Sequence, residues 1–391
     1  MNFEQSYRRL ISGQSSSFDA SMLRFLLAIA AIGYSLAVRL RNLLYSKGLL
    51  KMHHVDATVI CVGNITVGGT GKTPLVVWLC NLITQNTKLK TKDCTCAILT
   101  RGYKSRAQEN KDFKDEIAIL ADSCRDAKVI VNPDRVAGAT EAIDKYAVKV
   151  LIMDDGLQHR RLARDLDIVT IDATQPFGYG KLLPAGLLRE PVSSLCRAGA
   201  VVITRCNQVS KAKLSEHEQK LQAINPDMII AKSIHAAVSI KYPVSTVIPA
   251  KLGIKANKKM DSCLRRNDNI ELLKGKKVFA FCGIGNPDAF FNTVKDIGAE
   301  LIGSKAYDDH YHYTNECLTE ISKQAIELGA QLILTTQKDW TKVISNFKSQ
   351  ISSFKPSLPF AYLAVEIKFL AGEDKLTALI KDTLAGKIPQ K

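Results

Sequence analysis

From Ala57 onward, short apolar runs alternate with stretches of helical periodicity. ATVICVG reads as a buried strand, TPLVVWLCNLI as a helix and CAILTRGY as the next strand. KVLIMDDG, DIVTID and AVVITRC follow as further strands. Strands separated by helices imply parallel βαβ units and a doubly wound sheet. Around 252–275 the pattern breaks at GIKANKKMDSCLRRNDNIELLKG, a polar, basic and aperiodic stretch that reads as a linker or surface insertion. KKVFAFCGIG, DAFFNTVKDIG, AELIGSKAY, TNECLTEISKQAIELG and QLILTT then resume the order of strand and helix. The expected organisation is an N-terminal helical segment (1–50), a core α/β domain (51–240), a linker with a basic insertion (241–275) and a smaller α/β domain (276–391).

The N-terminal segment is patterned differently. In SMLRFLLAIAAIGYSLAVRLRNLLYSKG the uncharged core, Phe25 to Val38, is 14 residues long and lies between Arg24 and Arg39. As a helix it covers about 21 Å, against a hydrocarbon slab of about 30 Å. No convincing small-residue cleavage site precedes Arg39, which argues against a signal peptide. Arg24, Arg39, Arg41 and Lys47 suit a helix lying in the interface of an anionic bilayer, so a monotopic protein on the cytoplasmic face of the inner membrane is expected. The alternative is a buried helix of the first domain.

The composition narrows the partners. The chain has 391 residues, 46% hydrophobic and 24% charged, which excludes a disordered or fibrous protein. Its formal charge of +16 points to an anionic partner: nucleic acid, anionic lipid or a phosphorylated substrate. No stacking aromatics are interleaved with the basic residues and no nucleic-acid reading motif is present, so no nucleic-acid partner is expected. The ten cysteines are scattered, and Cys94 and Cys96 lack metal-ligand spacing, so reduced cytosolic thiols are expected. The protein is expected to be a monomer.

Candidate chemistry begins at VGNITVGGTGKTP, Val62 to Pro74. Gly71, Lys72 and Thr73 end a phosphate-loop pattern between a strand and a helix, but Thr66 stands where the first glycine is usual. In such a loop the backbone N–H groups of Thr66, Gly68, Gly69, Thr70, Gly71, Lys72 and Thr73, leading into Pro74, surround phosphate oxygens at a helix start. Lys72 would reach the β- and γ-phosphates and the Thr73 hydroxyl would ligate Mg²⁺. KVLIMDDGLQH supplies the partner carboxylates, Asp154 and Asp155, at the end of another strand. A GTP-binding protein would want Asn-Lys-x-Asp after a late strand. LILTTQKDW places its lysine one residue too late, so ATP is favoured.

These motifs together resemble the tetraacyldisaccharide 4′-kinases of lipid A biosynthesis over nearly the whole chain. The resemblance rests on VGNITVGGTGKTP, LTRGYKSR, KDEIAILA, NPDR, DDGLQHRRL, FGYGKLLPAGLLREP, FCGIGNPDAFF, DDHYHYT and TTQKDWTK. It implies a P-loop NTPase-like, mostly parallel α/β fold with a second, smaller α/β domain and a membrane-associated N-terminal helix. It implies transfer of the ATP γ-phosphoryl group to the 4′-hydroxyl of an acylated glucosamine disaccharide 1-phosphate. It also implies that Asp115 acts as base with His310 from the second domain; the nucleotide is expected between the two domains. Arg101, Tyr103, Arg135, Gln158, His159, Arg189 and Glu190 match family substrate or active-site positions. Read alone, Asp115 looks like part of a solvated acidic turn. His310 follows Asp308 and Asp309, carboxylates able to fix its tautomer; His312 is a local competitor. Gln337, Ile117 and the stretch at 252–275 depart from the family pattern. A P-loop ATPase serving as a metallochaperone or assembly factor is the alternative; it would need a switch segment and no acceptor-sugar site, and the LLPAGLLREP loop and a histidine from a second domain favour the kinase.

Overall fold

The computed structural model describes residues 3–15, 17–86, 96–102, 112–241, 270–309, 311–350 and 358–387. Two helices, α1 (Phe3–Ile11) and α2 (Phe18–Ser46), come first. Then follow β1 (Thr58–Gly63), α3 (Lys72–Asn86), β2 (Cys96–Thr100), α4 (Asp112–Ser123), β3 (Lys128–Val131), α5 (Arg135–Tyr146), β4 (Val150–Asp154) and β5 (Leu166–Asp172). The chain continues through β6 (Ala200–Thr204), α6 (Lys211–Ile224), β7 (Ile229–Lys241), β8 (Lys277–Cys282), α7 (Pro287–Asp296) and β9 (Glu300–Ala306). It ends with α8 (Asn315–Glu327), β10 (Leu332–Thr336), α9 (Gln337–Gln350), β11 (Phe360–Ala371) and α10 (Glu373–Leu384).

The chain forms two compact units. In the first, the parallel strands take the order β3-β2-β4-β1-β5-β6-β7. Both faces of this sheet are covered, which is why its strands read as continuous apolar runs rather than alternating ones. Ile60 and Val62 of β1 join Leu75 and Leu79 of α3 and Leu376 and Ile380 of α10 in one core. Val59 and Cys61, pointing the other way, join Ala139 and Ala142 of α5. Val62 of β1 is in register with Asp154 of β4, so the phosphate-loop motif and the Asp-Asp pair leave the sheet at the same C-terminal edge. That edge is where open α/β sheets bind ligands.

The second unit comprises residues 114–119 and 235–366, with strand order β11-β10-β8-β9, all parallel. Its apolar layers are Phe290 and Val294 of α7 on one face, and Ile321, Ala325 and Trp340 of α8 and α9 on the other. The stretch from Ile367 onward groups with the first unit, since α10 buries Leu376 and Ile380 there. Residues 242–269, which hold most of the expected insertion, lie outside the described residues.

Helix α2 is longer than its apolar core suggests. It runs 29 residues, capped by the Ser17 hydroxyl, which accepts from the Ala20 N–H. At about 1.5 Å per residue it spans roughly 43 Å. Arginine is a good helix former, so Arg24, Arg39 and Arg41 flank the apolar core without ending the helix. By length and composition it is able to cross a membrane. One face is docked on the first unit. Tyr34 donates to the Arg189 carbonyl at 2.8 Å, Val38 is buried, Asn42 donates to Glu190 at 3.0 Å, and Arg160 stacks on Tyr45. The opposite face exposes Phe25, Ile29, Ile32, Leu36, Leu40 and Leu43, three or four residues apart.

Candidate nucleotide and active site

The phosphate-loop motif occupies the turn from β1 to α3. Gly63 ends the strand where no side chain fits: a Cβ there would sit 2.6 Å from the Leu157 Cβ. Gly68 and Gly71 have φ of +116° and +87°, conformations that favour glycine. A Cβ at Gly69 would meet nothing within 4 Å, so the crown of the loop faces open space. Thr66 has an ordinary extended role. It forms an antiparallel bridge with Leu188, flanked by Val67 N–H to the Leu187 carbonyl at 2.8 Å and Arg189 N–H to the Ile65 carbonyl at 2.7 Å. The LLREP segment thus pairs with the approach to the loop, and glycine is not needed there.

Inside the loop a chain of hydrogen bonds fixes the backbone. Asn64 Nδ2 donates to Thr70 Oγ1 at 3.1 Å, and Thr70 and Thr170 share a bond of 2.7 Å. Thr170 in turn donates to the Gly63 carbonyl at 3.2 Å. Gln158 Nε2 donates to the Asn64 carbonyl at 2.8 Å. The loop is preformed, with α3 starting at Lys72 and Pro74 in its first turn, where a missing N–H costs nothing.

Lys72 and Asp155 face each other across this loop at 3.2 Å, and Arg189 contacts both Asp155 oxygens at 3.0 and 3.1 Å. Burial works against a charge on Asp155, but Lys72 and Arg189 more than offset it and hold its pKa at about 2. Asp155 has φ +49°, uncommon for a residue with a side chain. The Asp154 side chain is buried beside it. Among the described residues no group of three or more His, Cys, Asp or Glu side chains converges. Asp154 and Asp155 are nevertheless carboxylates of the kind that hold Mg²⁺, which usually takes one or two of them and completes its shell with substrate phosphates and water.

The family model described as Tetraacyldisaccharide-1-P 4′-kinase (LpxK) matches residues 23–385. The chain belongs to the tetraacyldisaccharide-1-P 4′-kinase family. Among its relatives are proteins named tetraacyldisaccharide 4′-kinase from Halothermothrix orenii, 34% identical over 85% of this chain and 85% of that one, and from Syntrophus aciditrophicus, 32% identical over 94% and 95%. The crystal structure of LpxK from Aquifex aeolicus in complex with ATP superposes with a TM-score of 0.62 at 26% identity, covering 93% of this chain and 99% of the other.

The other family positions are distributed unevenly. Arg101 is exposed immediately after β2. Arg135 is 3% exposed and donates to the Asn132 and Asp154 carbonyls at 2.9 and 3.1 Å, so it braces the turn before α5 and the end of β4. His159 is partly buried. Burial first, then the neighbouring Arg135 cation, pushes its pKa down to about 4, so the ring is neutral at pH 7. Glu190 is fully buried and holds Arg197 at 2.9 Å, Asn42 at 3.0 Å and Arg41 at 3.4 Å, which ties α2 to the LLREP segment. Asp115 lies in α4, with only its backbone described, and Tyr103 and His310 lie outside the described residues. The residues flanking His310 are held: Asp309 pairs with Lys338 at 3.2 Å, and Tyr311 stacks on Tyr307 with ring centroids 4.4 Å apart.

Two arginines escaped sequence reasoning. Arg8 of α1 brings a guanidinium nitrogen to 3.6 Å from where a Gly68 Cβ would lie. Its helix is tied to the LLPAGLLREP loop by Tyr7, which donates to the Pro184 carbonyl at 2.6 Å. Arg205, after β6, reaches the Gly69 carbonyl at 2.9 Å. Neither sits in a local motif, so only tertiary packing reveals them.

Proposed function

We propose that the protein transfers the γ-phosphoryl group of ATP to the 4′-hydroxyl of a tetraacylated glucosamine disaccharide 1-phosphate, a step of lipid A biosynthesis, at a membrane surface. The observation that carries this reading is the preformed phosphate loop with Lys72 facing Asp155, in a chain of this family. In the resting site Asp155 holds Lys72 at the loop, ready to exchange that carboxylate for phosphate oxygens. Thr73, Asp154 and Asp155 would hold Mg²⁺, whose contribution when bound is to neutralise charge on the β- and γ-phosphate oxygens.

The acceptor hydroxyl is a poor nucleophile and needs a positioned base. Asp115 takes that role, with His310 acting in the same step. Exposed Arg101, half-buried Arg189 and Tyr103 suit the anionic sugar headgroup, guanidinium groups binding phosphate bidentately. Arg135, Gln158 and Glu190 serve the acceptor indirectly, since their polar atoms already brace the loops around the site. His159, kept neutral, is able to accept or donate one hydrogen bond to a sugar hydroxyl.

The acyl chains remain in the bilayer while the headgroup reacts, so the exposed face of α2 is the surface that meets lipid. Its docked face holds the helix against the unit bearing the phosphate loop. This favours a helix lying in the cytoplasmic interface over one that leaves the protein to span. The reading is tested by following ADP release from full-length protein in detergent micelles. Release should require both Mg²⁺ and the lipid disaccharide 1-phosphate, whereas equal release without the acceptor would sink it.

A further inference from the structure

The crown of the phosphate loop is braced from the ends of β5 and β6 by residues that no motif singles out. Arg205 follows β6, is 6% exposed, and takes φ +56°, a conformation rarely adopted by a residue with a side chain. Its Nη2 donates to the Gly69 carbonyl at 2.9 Å while its Nη1 donates to the Asp172 carboxylate. Asp172 is oriented by Thr174, whose N–H and hydroxyl donate to it at 3.0 and 2.7 Å. The preceding residue, Thr204, donates its hydroxyl to the Thr70 carbonyl at 2.9 Å. Two successive crown carbonyls are therefore drawn away from the open side of the loop. A phosphate loop binds by converging N–H groups, so each crown carbonyl must be turned outward and given a partner.

We propose that Arg205 is a positioning residue of the nucleotide site, presetting the crown for the ATP phosphates by holding the Gly69 carbonyl, with Thr204 doing the same at Thr70. The inference rests on reading residues 62–74 as the ATP site. Arg205 need not touch the nucleotide. It reaches the phosphates through the shape of the loop, and the Asp172–Thr174 pair aims its guanidinium. A merely structural ion pair would support the fold and affect ATP and acceptor alike. A brace on the crown affects ATP selectively.

The test uses full-length protein in detergent, with ATP affinity read by displacement of a fluorescent ATP analogue and KM measured separately for ATP and the lipid acceptor. Arg205→Ala should weaken ATP binding about ten- to a hundredfold, the size of one hydrogen bond to a charged group, and leave the acceptor KM unchanged. Arg205→Lys keeps the charge but cannot serve both acceptors, so its loss should be intermediate. If Arg205→Ala does not fold, Thr204→Val decides. It is close to isosteric, leaves the Arg205–Asp172 pair in place, and should still weaken ATP binding. Wild-type ATP affinity in the folded variants, or equal rises in both KM values, would overturn the proposal. A wild-type protein that binds no ATP would instead overturn the nucleotide-site reading on which it rests.

Discussion

Replacing Ile32 and Leu36 by serine should release the protein from anionic membranes while sparing its nucleotide site. The two side chains are 62% and 63% exposed on the outer face of α2, so about three-fifths of each is available to lipid. Fully burying an isoleucine or leucine is worth about 1.5–3 kcal/mol, which leaves about 1–2 kcal/mol for each here. Together they represent about 2–4 kcal/mol of membrane affinity, or about a thirtyfold to several-hundredfold change in partitioning. Serine adds no charge, so electrostatic attraction through Arg24, Arg39 and Arg41 is unchanged. The docked face, with Tyr34, Val38, Asn42 and Tyr45, is untouched. The assay is co-sedimentation of the full-length protein with vesicles of phosphatidylethanolamine and phosphatidylglycerol, with ATP affinity measured on the same preparation. Unchanged sedimentation of the double variant would refute the argument. So would an equal loss in Tyr34→Phe, which alters only the docked face.

Three further outcomes are expected. Lys72→Ala and Thr73→Ala should lower kcat more than they raise the acceptor KM, because their contacts matter most in the transition state, and Asp154→Asn should shift the Mg²⁺ requirement; steady-state kinetics at varied Mg²⁺ check both. Asp115→Ala should cost about 10²–10⁴ in rate with ATP still bound, the range for a general base. Adding His310→Ala should then cost less than its loss alone, and simple additivity would argue against a shared step. His159, whose folded pKa of about 4 lies below the ordinary 6.5, should make the protein less stable as pH falls between those values, since the unfolded chain takes up the proton first. Denaturant melts at pH 7 and pH 4.5 should show that drop in wild-type protein and a smaller one in His159→Gln.

Much of the first unit was legible because a parallel sheet covered on both faces leaves uninterrupted apolar runs, as in β1, β4 and β5. Strand β3, four residues with Val131 exposed, gives no such run, and β7 and β11 mix polar positions into long strands. The phosphate loop and Asp155 were visible because their chemistry is local to a strand end. The partner of Thr66 was not, since it bridges Leu188, more than a hundred positions away. Glu190 illustrates the same limit. The family resemblance puts it among substrate or active-site positions, and only the structure shows its carboxylate committed to Arg197, Asn42 and Arg41. Helix α2 outruns the uncharged core between Arg24 and Arg39, because arginines interrupt an apolar run without ending a helix.

Phosphoryl transfer to one hydroxyl of a lipid is the activity that everything else here serves. Full-length protein incubated with ATP, Mg²⁺ and tetraacyl disaccharide 1-phosphate in mixed micelles, followed by ³¹P NMR of the recovered lipid, tests it most directly. A second phosphomonoester on the 4′-oxygen is expected, formed in step with ADP and absent with Lys72→Ala. ADP accumulating while the lipid keeps only its 1-phosphate would contradict it and favour an ATPase of another kind.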